Sequence, residues 1–570
     1  MTSRLFAIRF VCRLFALLTC LTSTTAVAQH AVTISGLGTA TFPTSTQSAE
    51  AQQDFMRGLL LLHLFEYRDA AKSFVAAEQA DPSFAMAYWG EAMTFNHPVW
   101  NQVNSAAGSA ALTKYAATPE ARVARIHDER ERDFMQAVEI LYSGAGSKAD
   151  RDARYADAMQ AMSERYPKDD EVQLFYALAL LGKSEGVRDV PTYLKAAAIA
   201  KEVFQHNPHH PGAAHYWIHG MDDPQHAAGA LVAARALSVI APDAPHAQHM
   251  CSHIFLALGM WSDVVKANVA ATTVTNQQAA AAGDQPVRCG HYNYWLEYGL
   301  IQQGRISEAE KVLAGCHEDA AAAHLSPASR GAIDPDETKT NSFVAMQDTY
   351  LLNVSPPQSS MPAMMSMHLD GAVMSEFRHA YSFGLAAAAA GNATVAQEDL
   401  TRLEQLLPQM SGLFERNGVP ADDPSRSVPE IEHLQLKAVV QAALNNLGEA
   451  VTLLEKAVEI GKNQPYAFGP PDPEKPTEEL LGELLLRQGK PAEAKAAFVA
   501  ELERTPNRAL SMLGLARSQS ALGDKAAAKE TATKLLLMWK PGDASYPLRA
   551  EAEEIAYPGM NHPHHARHRR

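Results

Sequence analysis

Histidine is the residue type whose spacing in this chain could do chemistry. Of 23 histidines in 570 residues, nine fall between His206 and His253. His215 and His219 lie four apart, as do His249 and His253, and the second pair repeats the first at an offset of 34. Side chains four apart share one face of a helix, and packed helices run about 8 to 10 Å apart. Two such pairs can therefore direct four imidazoles at one ion between helices, as bundle cores do. Imidazole suits Zn, Cu, Fe and Ni, and a carboxylate in the set would fit Zn or non-haem Fe; Asp222 and Asp223 follow His219 by about a turn. With an open position, such an ion could activate water for hydrolysis, and Asp222, Asp223 or Glu297 could serve as acid or base. A metal-dependent hydrolase or oxidoreductase therefore stays open beside simple metal binding. The same imidazoles could instead hydrogen-bond a ligand, or only pack. The run Met361-Pro362-Ala363-Met364-Met365-Ser366-Met367-His368 offers thioethers that would favour Cu(I), although methionines before a helix are more often core filler. His562, His564, His565 and His568 near the C-terminus would chelate at most weakly. No HExxH, GxSxG or Gly-rich phosphate loop points to another chemistry.

The elements that must position these residues recur. Gly58, Tyr67, Ala70, Phe74, Ala77 and Pro82 mark one unit; Gly482, Gly489, Ala494, Phe498 and Pro506 mark a second. Leu515, Gly523 and Ala528 continue the second at an offset of 34 from Leu481, Gly489 and Ala494; Gly384, Gly391 and Ala396 mark a further unit. Weaker units end at Pro167, Pro208 and Pro242. Small residues at fixed positions let paired helices approach, and proline punctuates the hairpins. The pattern resembles the tetratricopeptide-repeat family over most of the chain. Segments such as HHPGAAHYWIHGMDDP and HAQHMCSHIF are similar to a group of exported bacterial repeat proteins of unestablished activity. The resemblance implies an all-α fold, an α-solenoid of helical hairpins in two blocks. The expected organisation is a leader over 1–28, a lead-in over 29–50, and a first block with a histidine-lined groove over 51–325. An insertion over 326–375 carries the Met-rich segment. A second block spans 376–545, and a His-rich tail 546–570.

Counted within each repeat, positions 2, 5, 9, 12 and 13 face the concave groove in this family. His215 and His249 take position 5, His219 and His253 position 9, and His246 and His291 position 2. His63 and His97 both take position 13 and form a second expected column. Trp89, Tyr294 and Tyr298 fall at positions 5, 5 and 9, where they would contact a peptide, a protein or a small-molecule ligand in the groove. Cys289 precedes position 1 of its repeat and Cys316 falls near the end of the antiparallel second helix, so the register predicts a Cys289–Cys316 disulfide with Cys251 free in the packing face.

Arg4, Arg9 and Arg13 precede the apolar run Phe15-Ala16-Leu17-Leu18, and Ala26-Val27-Ala28 supplies a cleavage signal. These features predict export, periplasmic or secreted, with cleavage after Ala28; a lipoprotein anchored at Cys20 is the less favoured reading, because threonine precedes that cysteine. Acids outnumber bases 64 to 49, which argues against a nucleic-acid partner. Gly and Pro at 33 and 32 are ordinary, and 47% hydrophobic residues suffice for a core, which excludes collagen-like and wholly disordered chains. No stretch after the leader reaches the roughly 20 apolar residues of a membrane span.

Overall fold

A computed structural model describes residues 31–142, 144–184, 186–323, 330–333, 337–354, 367 and 369–559. The leader, Cys20, the histidines from His562 onward and most of the Met-rich run, including His368, lie outside the described residues.

The first block opens with an antiparallel hairpin of β1 (Val32–Ile34) and β2 (Gly38–Ala40), then helices α1 (Ala49–His63), α2 (Tyr67–Ala80) and α3 (Ala85–Met93). Phe74 on α2 shows why the repeat needs glycine. A Cβ on Gly58 of α1 would lie 2.8 Å from its ring, and one on Gly90 of α3 2.3 Å. The ring is clamped between two bare backbones, which fixes the spacing of three consecutive helices. Gly482, Phe498 and Gly514 repeat the clamp in the second block, at 2.8 and 2.2 Å.

After α3 a short hairpin of β3 (Asn96–His97) and β4 (Gln102–Val103) interrupts the array. The chain continues through α4 (Ser105–Tyr115), α5 (Pro119–Ala124), α6 (Glu129–Tyr142), α7 (Lys148–Arg165), α8 (Asp170–Lys183) and α9 (Val190–His206). Helices α10 (Pro211–Gly220), α11 (Leu231–Ile240), α12 (Pro245–Ala257), α13 (Trp261–Ala282), α14 (His291–Gln302) and α15 (Ile306–Ala322) carry the histidines and cysteines. Pro82, Pro167, Pro208 and Pro242 each sit in the turn leading from a second helix to the next hairpin. A proline there removes an N–H that would otherwise extend the preceding helix.

Within the segment expected to be an insertion, α16 (Lys339–Asn353) forms, and every residue from Thr340 to Tyr350 is buried. A helix covered on all sides has no polar face, so its residues show no 3.6-residue period. The second block comprises α17 (Val373–Ala389), α18 (Ala393–Arg416), α19 (Val428–Ala443), α20 (Leu447–Gly461), α21 (Thr477–Arg487), α22 (Pro491–Arg504), α23 (Ala509–Ala521) and α24 (Lys525–Met538). A last helix, α25 (Pro547–Ala556), packs on α24 within the segment expected to be tail. The protein is thus an all-α solenoid of helical hairpins. Among the described residues no helix is long and apolar enough to cross a membrane.

The array curls until its end meets its middle. Trp539 Nε1 donates to Gln302 O at 3.0 Å, Ala509 N to Gln302 Oε1 at 2.8 Å, and Trp261 Nε1 to Asn507 O at 2.8 Å. Buried Arg508 pairs with Glu479 at 2.8 Å and donates to Tyr298 Oη at 3.0 Å. The inner face near α12 and α14 is therefore interior, not an open groove. Cys289 and Cys316 are joined, their Cα atoms 4.6 Å apart, and Cys251 is free and buried.

Candidate metal centre

Helices α10 and α12 begin alike, each with proline in its first turn, and both are buried almost throughout. Arg188 holds the end of α10 by donating to the carbonyls of His219 and Gly220, each at 3.3 Å, where the helix dipole favours a cation. His215 and His219 project from α10; His246, His249 and His253 from α12; His291 from the start of α14.

The Nδ1 partners decide what these rings present. His215 Nδ1 lies 2.7 Å from the carbonyl of His63, an acceptor, so it must donate. His253 Nδ1 donates to Asp222 Oδ2 at 2.7 Å. His249 Nδ1 donates to Asn268 Oδ1 at 2.7 Å, with that amide oriented by its own Nδ2 donating to Val264 O. In each neutral ring the proton is on Nδ1 and the lone pair on Nε2. Yet His249 and His253 bring their Nε2 atoms to 3.1 Å, and His215 and His219 do the same. The facing lone pairs of His249 and His253 call for a donor or a cation between them, and His291 Nε2, 2.9 Å from His249 Nε2, can be that donor; in the other pair a neutral His219 can donate from Nε2 to His215. A proton is disfavoured: burial first, then neighbouring imidazoles, push His215 down to about 3 and His219, His246 and His249 well below the ordinary range. A metal ion is one candidate for that place, and a partner fixing the far nitrogen is the usual support of a ligating imidazole.

The six imidazoles divide into two triads. In one, ligand atoms of His215, His219 and His246 lie within 4.8 Å of one another; in the other, those of His249, His253 and His291 do. The four histidines expected around one ion thus fall, with His246 and His291, into two groups of three. A translation of 34 residues moves the second pair by a whole hairpin, and each pair is completed by position 2 of the next hairpin. In each triad one aromatic ring lies against all three imidazoles. Phe65 lies 4.4, 5.6 and 5.7 Å from the rings of His215, His219 and His246; Trp295 lies 4.7, 4.4 and 5.6 Å from those of His249, His253 and His291. Phe65 is held at φ 58°, a left-handed conformation that costs a bulky residue energy and concentrates at functional sites. His246 Nε2 is buried with no hydrogen-bond partner.

A third group is chemically closed. His63 Nε2 and His210 Nε2 each donate to one oxygen of Glu171, at 2.7 and 2.9 Å; Tyr216 Oη donates to His63 Nδ1 at 2.8 Å, and Ala213 N to His210 Nδ1 at 3.4 Å. Burial would raise the Glu171 carboxyl, but the two imidazoles override it and hold it well below the usual range. Every nitrogen here has a partner, so this network is a brace behind His215.

The remaining expected residues are placed otherwise. His97 leaves the column expected with His63, because α3 ends at Met93; its ring stacks on Tyr67 at 3.9 Å. Trp89 is enclosed by Phe42, Phe134 and Phe175, and Tyr298 is fully buried beside Arg508, so neither faces an open groove. Tyr294 donates to Glu474 Oε2 at 2.8 Å. Asp222 orients His253 from outside the triad, and Asp223 is engaged by Arg188 at 2.6 Å and His226 at 2.8 Å. Glu297 is buried with neither carboxyl oxygen bonded, and burial, then Glu474, push it well above the carboxylate range. A cavity of about 90 Å³ between Leu256, Tyr298, Tyr466 and Glu501 has Asp222 in its wall but none of the six imidazoles. The register did not reveal Phe65, Asn268 or Glu171. Asn268 stands 19 residues beyond His249 on α13, with no local signal.

No family model matches the chain, and no curated protein matches it. Among solved structures the chain is similar to the Cut9–Hcn1 hetero-tetramer of the APC/C, with TM-score 0.33 and 12% identity over 91% of this chain and 78% of that one. It is similar also to yeast Tom70, with TM-score 0.27 and 11% identity over 89% and 94%. The P58(IPK) TPR domain gives TM-score 0.22 and 12% identity over 84% and 99%. Likenesses at these scores carry no argument about the site or its use.

Proposed function

We propose that this protein is an exported helical-repeat scaffold that binds transition-metal ions through His215, His219 and His246 and through His249, His253 and His291. The observation that supports this reading is the fixed tautomer of His249 and His253, whose donating Nδ1 atoms leave two Nε2 lone pairs 3.1 Å apart. All-imidazole sets of three match Zn, Cu or Fe. Export rests on the leader-like first 28 residues. Three protein ligands leave a position for water or substrate, so the same site could support hydrolytic or redox chemistry. Metal content of the full chain, purified without an affinity tag and with His562, His564, His565 and His568 replaced by alanine, tests the reading. Tightly held transition metal is expected, and H219A/H253A should lose it while staying folded. Stoichiometric metal persisting in that variant would refute the assignment.

A further inference from the structure

Helices α22 and α23 are joined by residues 505–508, but α20 and α21 by residues 462–476. Connections of that length without secondary structure are uncommon and usually have a use. This one crosses to the first block. Tyr466 Oη accepts from Gln225 Nε2 at 2.9 Å, the ring of Phe468 stacks on that of Tyr193 at 6.0 Å, and a Cβ on Gly469 would lie 2.7 Å from the ring of Trp295. Its far end is held by Tyr294 and Asn353, which donate to Glu474 at 2.8 and 3.1 Å, and by Gln435, which donates to Lys475 O at 3.0 Å. The connection thus forms one wall of the cavity whose other walls come from α12, α13, α14, α21 and α22. The cavity measures about 90 Å³, several times the roughly 10 to 15 Å³ that admits one water.

The charges of the wall select its occupant. Asp222 and Asp223 are already engaged, by His253 and by Arg188 and His226. Three further carboxylates line the cavity from three elements: Asp472 from the connection, Glu478 from α21 and Glu501 from α22. Glu501 is only 2% exposed; one of its oxygens accepts from Thr505 Oγ1 at 2.5 Å, and no described residue bonds the other. No described residue forms a hydrogen bond or ion pair with the carboxylates of Asp472 and Glu478. Burial pushes Glu501 up to about 8, as befits a carboxyl group without a counter-charge. The one base in the wall, Arg504, donates to the carbonyls of Gln464 and Pro465 at 3.3 and 3.2 Å and lies 5.1 Å over the ring of Tyr466. An anion would meet this excess of carboxylates, whereas a cation would relieve it. The three carboxylates do not draw together as a metal-sized set among the described residues, so the cation must be larger than an ion. The aromatic walls of Trp261, Tyr298 and Tyr466 suit a hydrocarbon chain and a cationic head alike.

We propose that this cavity binds a small aliphatic ammonium or guanidinium cation, its charge held by Glu501, Asp472 and Glu478 and its chain against Trp261, Tyr298 and Tyr466. None of the six imidazoles lines the cavity, so occupancy requires no metal.

The test is isothermal titration of the tag-free full chain, with the four tail histidines replaced and a chelator present, so that its outcome is independent of the metal sites. The probes are 1,4-diaminobutane, 1-aminobutane and butylguanidine, with butyrate as the anionic control. Saturable binding of one equivalent is expected for at least one cation and none for butyrate. E501Q should weaken that binding about tenfold, the cost of one hydrogen bond to a charged group, and D472N, on the connection, serves if E501Q fails to fold. E503Q, which removes an exposed carboxylate of α22 outside the cavity wall, should change nothing. No saturable binding of any of the three cations at millimolar concentration would overturn the proposal. Butyrate binding as tightly as the cations, or affinity undiminished in folded E501Q and D472N, would overturn it equally.

Discussion

Asp222 illustrates what a single side chain contributes without touching a ligand position. Its carboxylate holds His253 in the tautomer that points a lone pair inward, and removal of such a partner weakens metal binding by roughly 10- to 100-fold. D222A should show that loss in a competition titration against a chromophoric chelator, with helix content unchanged; unaltered affinity would show that His253 needs no orienter. Glu297 makes a different prediction. Its folded-state proton affinity is raised by burial and by Glu474, so the folded state favours the neutral acid. Stability from this group is intact below the unfolded value near 4.5 and falls as the pH rises toward the folded value. E297Q should therefore melt a few °C above the parent at pH 8 and close to it at pH 5; an equal gap at both pH values would contradict the burial of an ionisable acid here. Much of the residue scale was legible beforehand, because a 34-residue offset between two i, i+4 pairs states which side chains share a face. Which nitrogen each ring presents was not legible. It depends on Asn268, Asp222 and the His63 carbonyl, and only the fold brings these to the rings.

At the scale of elements, the glycine clamps explain why hairpins could be read from a handful of small residues. Phe74 has no room to move between Gly58 and Gly90, so G90A forces a Cβ into its ring, at about 1 to 3 kcal/mol for overpacking. F74A opens a void worth about 3 to 5 kcal/mol. Because each hairpin touches chiefly its neighbours, hydrogen exchange should rise in α1 to α3 for both variants and stay unchanged in α23 to α25. Uniform acceleration would mean that the array unfolds as one unit. The two elements that were not legible fail for opposite reasons. Helix α16 is buried on every side and shows no period, whereas His97 continues a helical register that the chain abandons for β3.

At the scale of the whole molecule, closure is what the repeat pattern could not convey. Repeat spacing defines a local hairpin, but the small rotation between hairpins accumulates until α23 and the end of α24 reach α14 and Tyr298 becomes interior. The Cys289–Cys316 bond ties the start of α14 to α15 within this closed body, across a sequence separation of 27. Loop entropy assigns a bridge of that span about 3.5 kcal/mol. Reduction should lower the melting temperature while leaving helix content at 25 °C unchanged; collapse of the helical signal on reduction would show that the bridge, not the packing, maintains the array.

The most direct measurement is anomalous X-ray scattering at the copper and zinc edges from crystals of the full chain grown with each metal. The account predicts one peak among the Nε2 atoms of His215, His219 and His246 and a second among those of His249, His253 and His291. Peaks confined to other histidines, with both triads empty in the presence of excess metal, would contradict it.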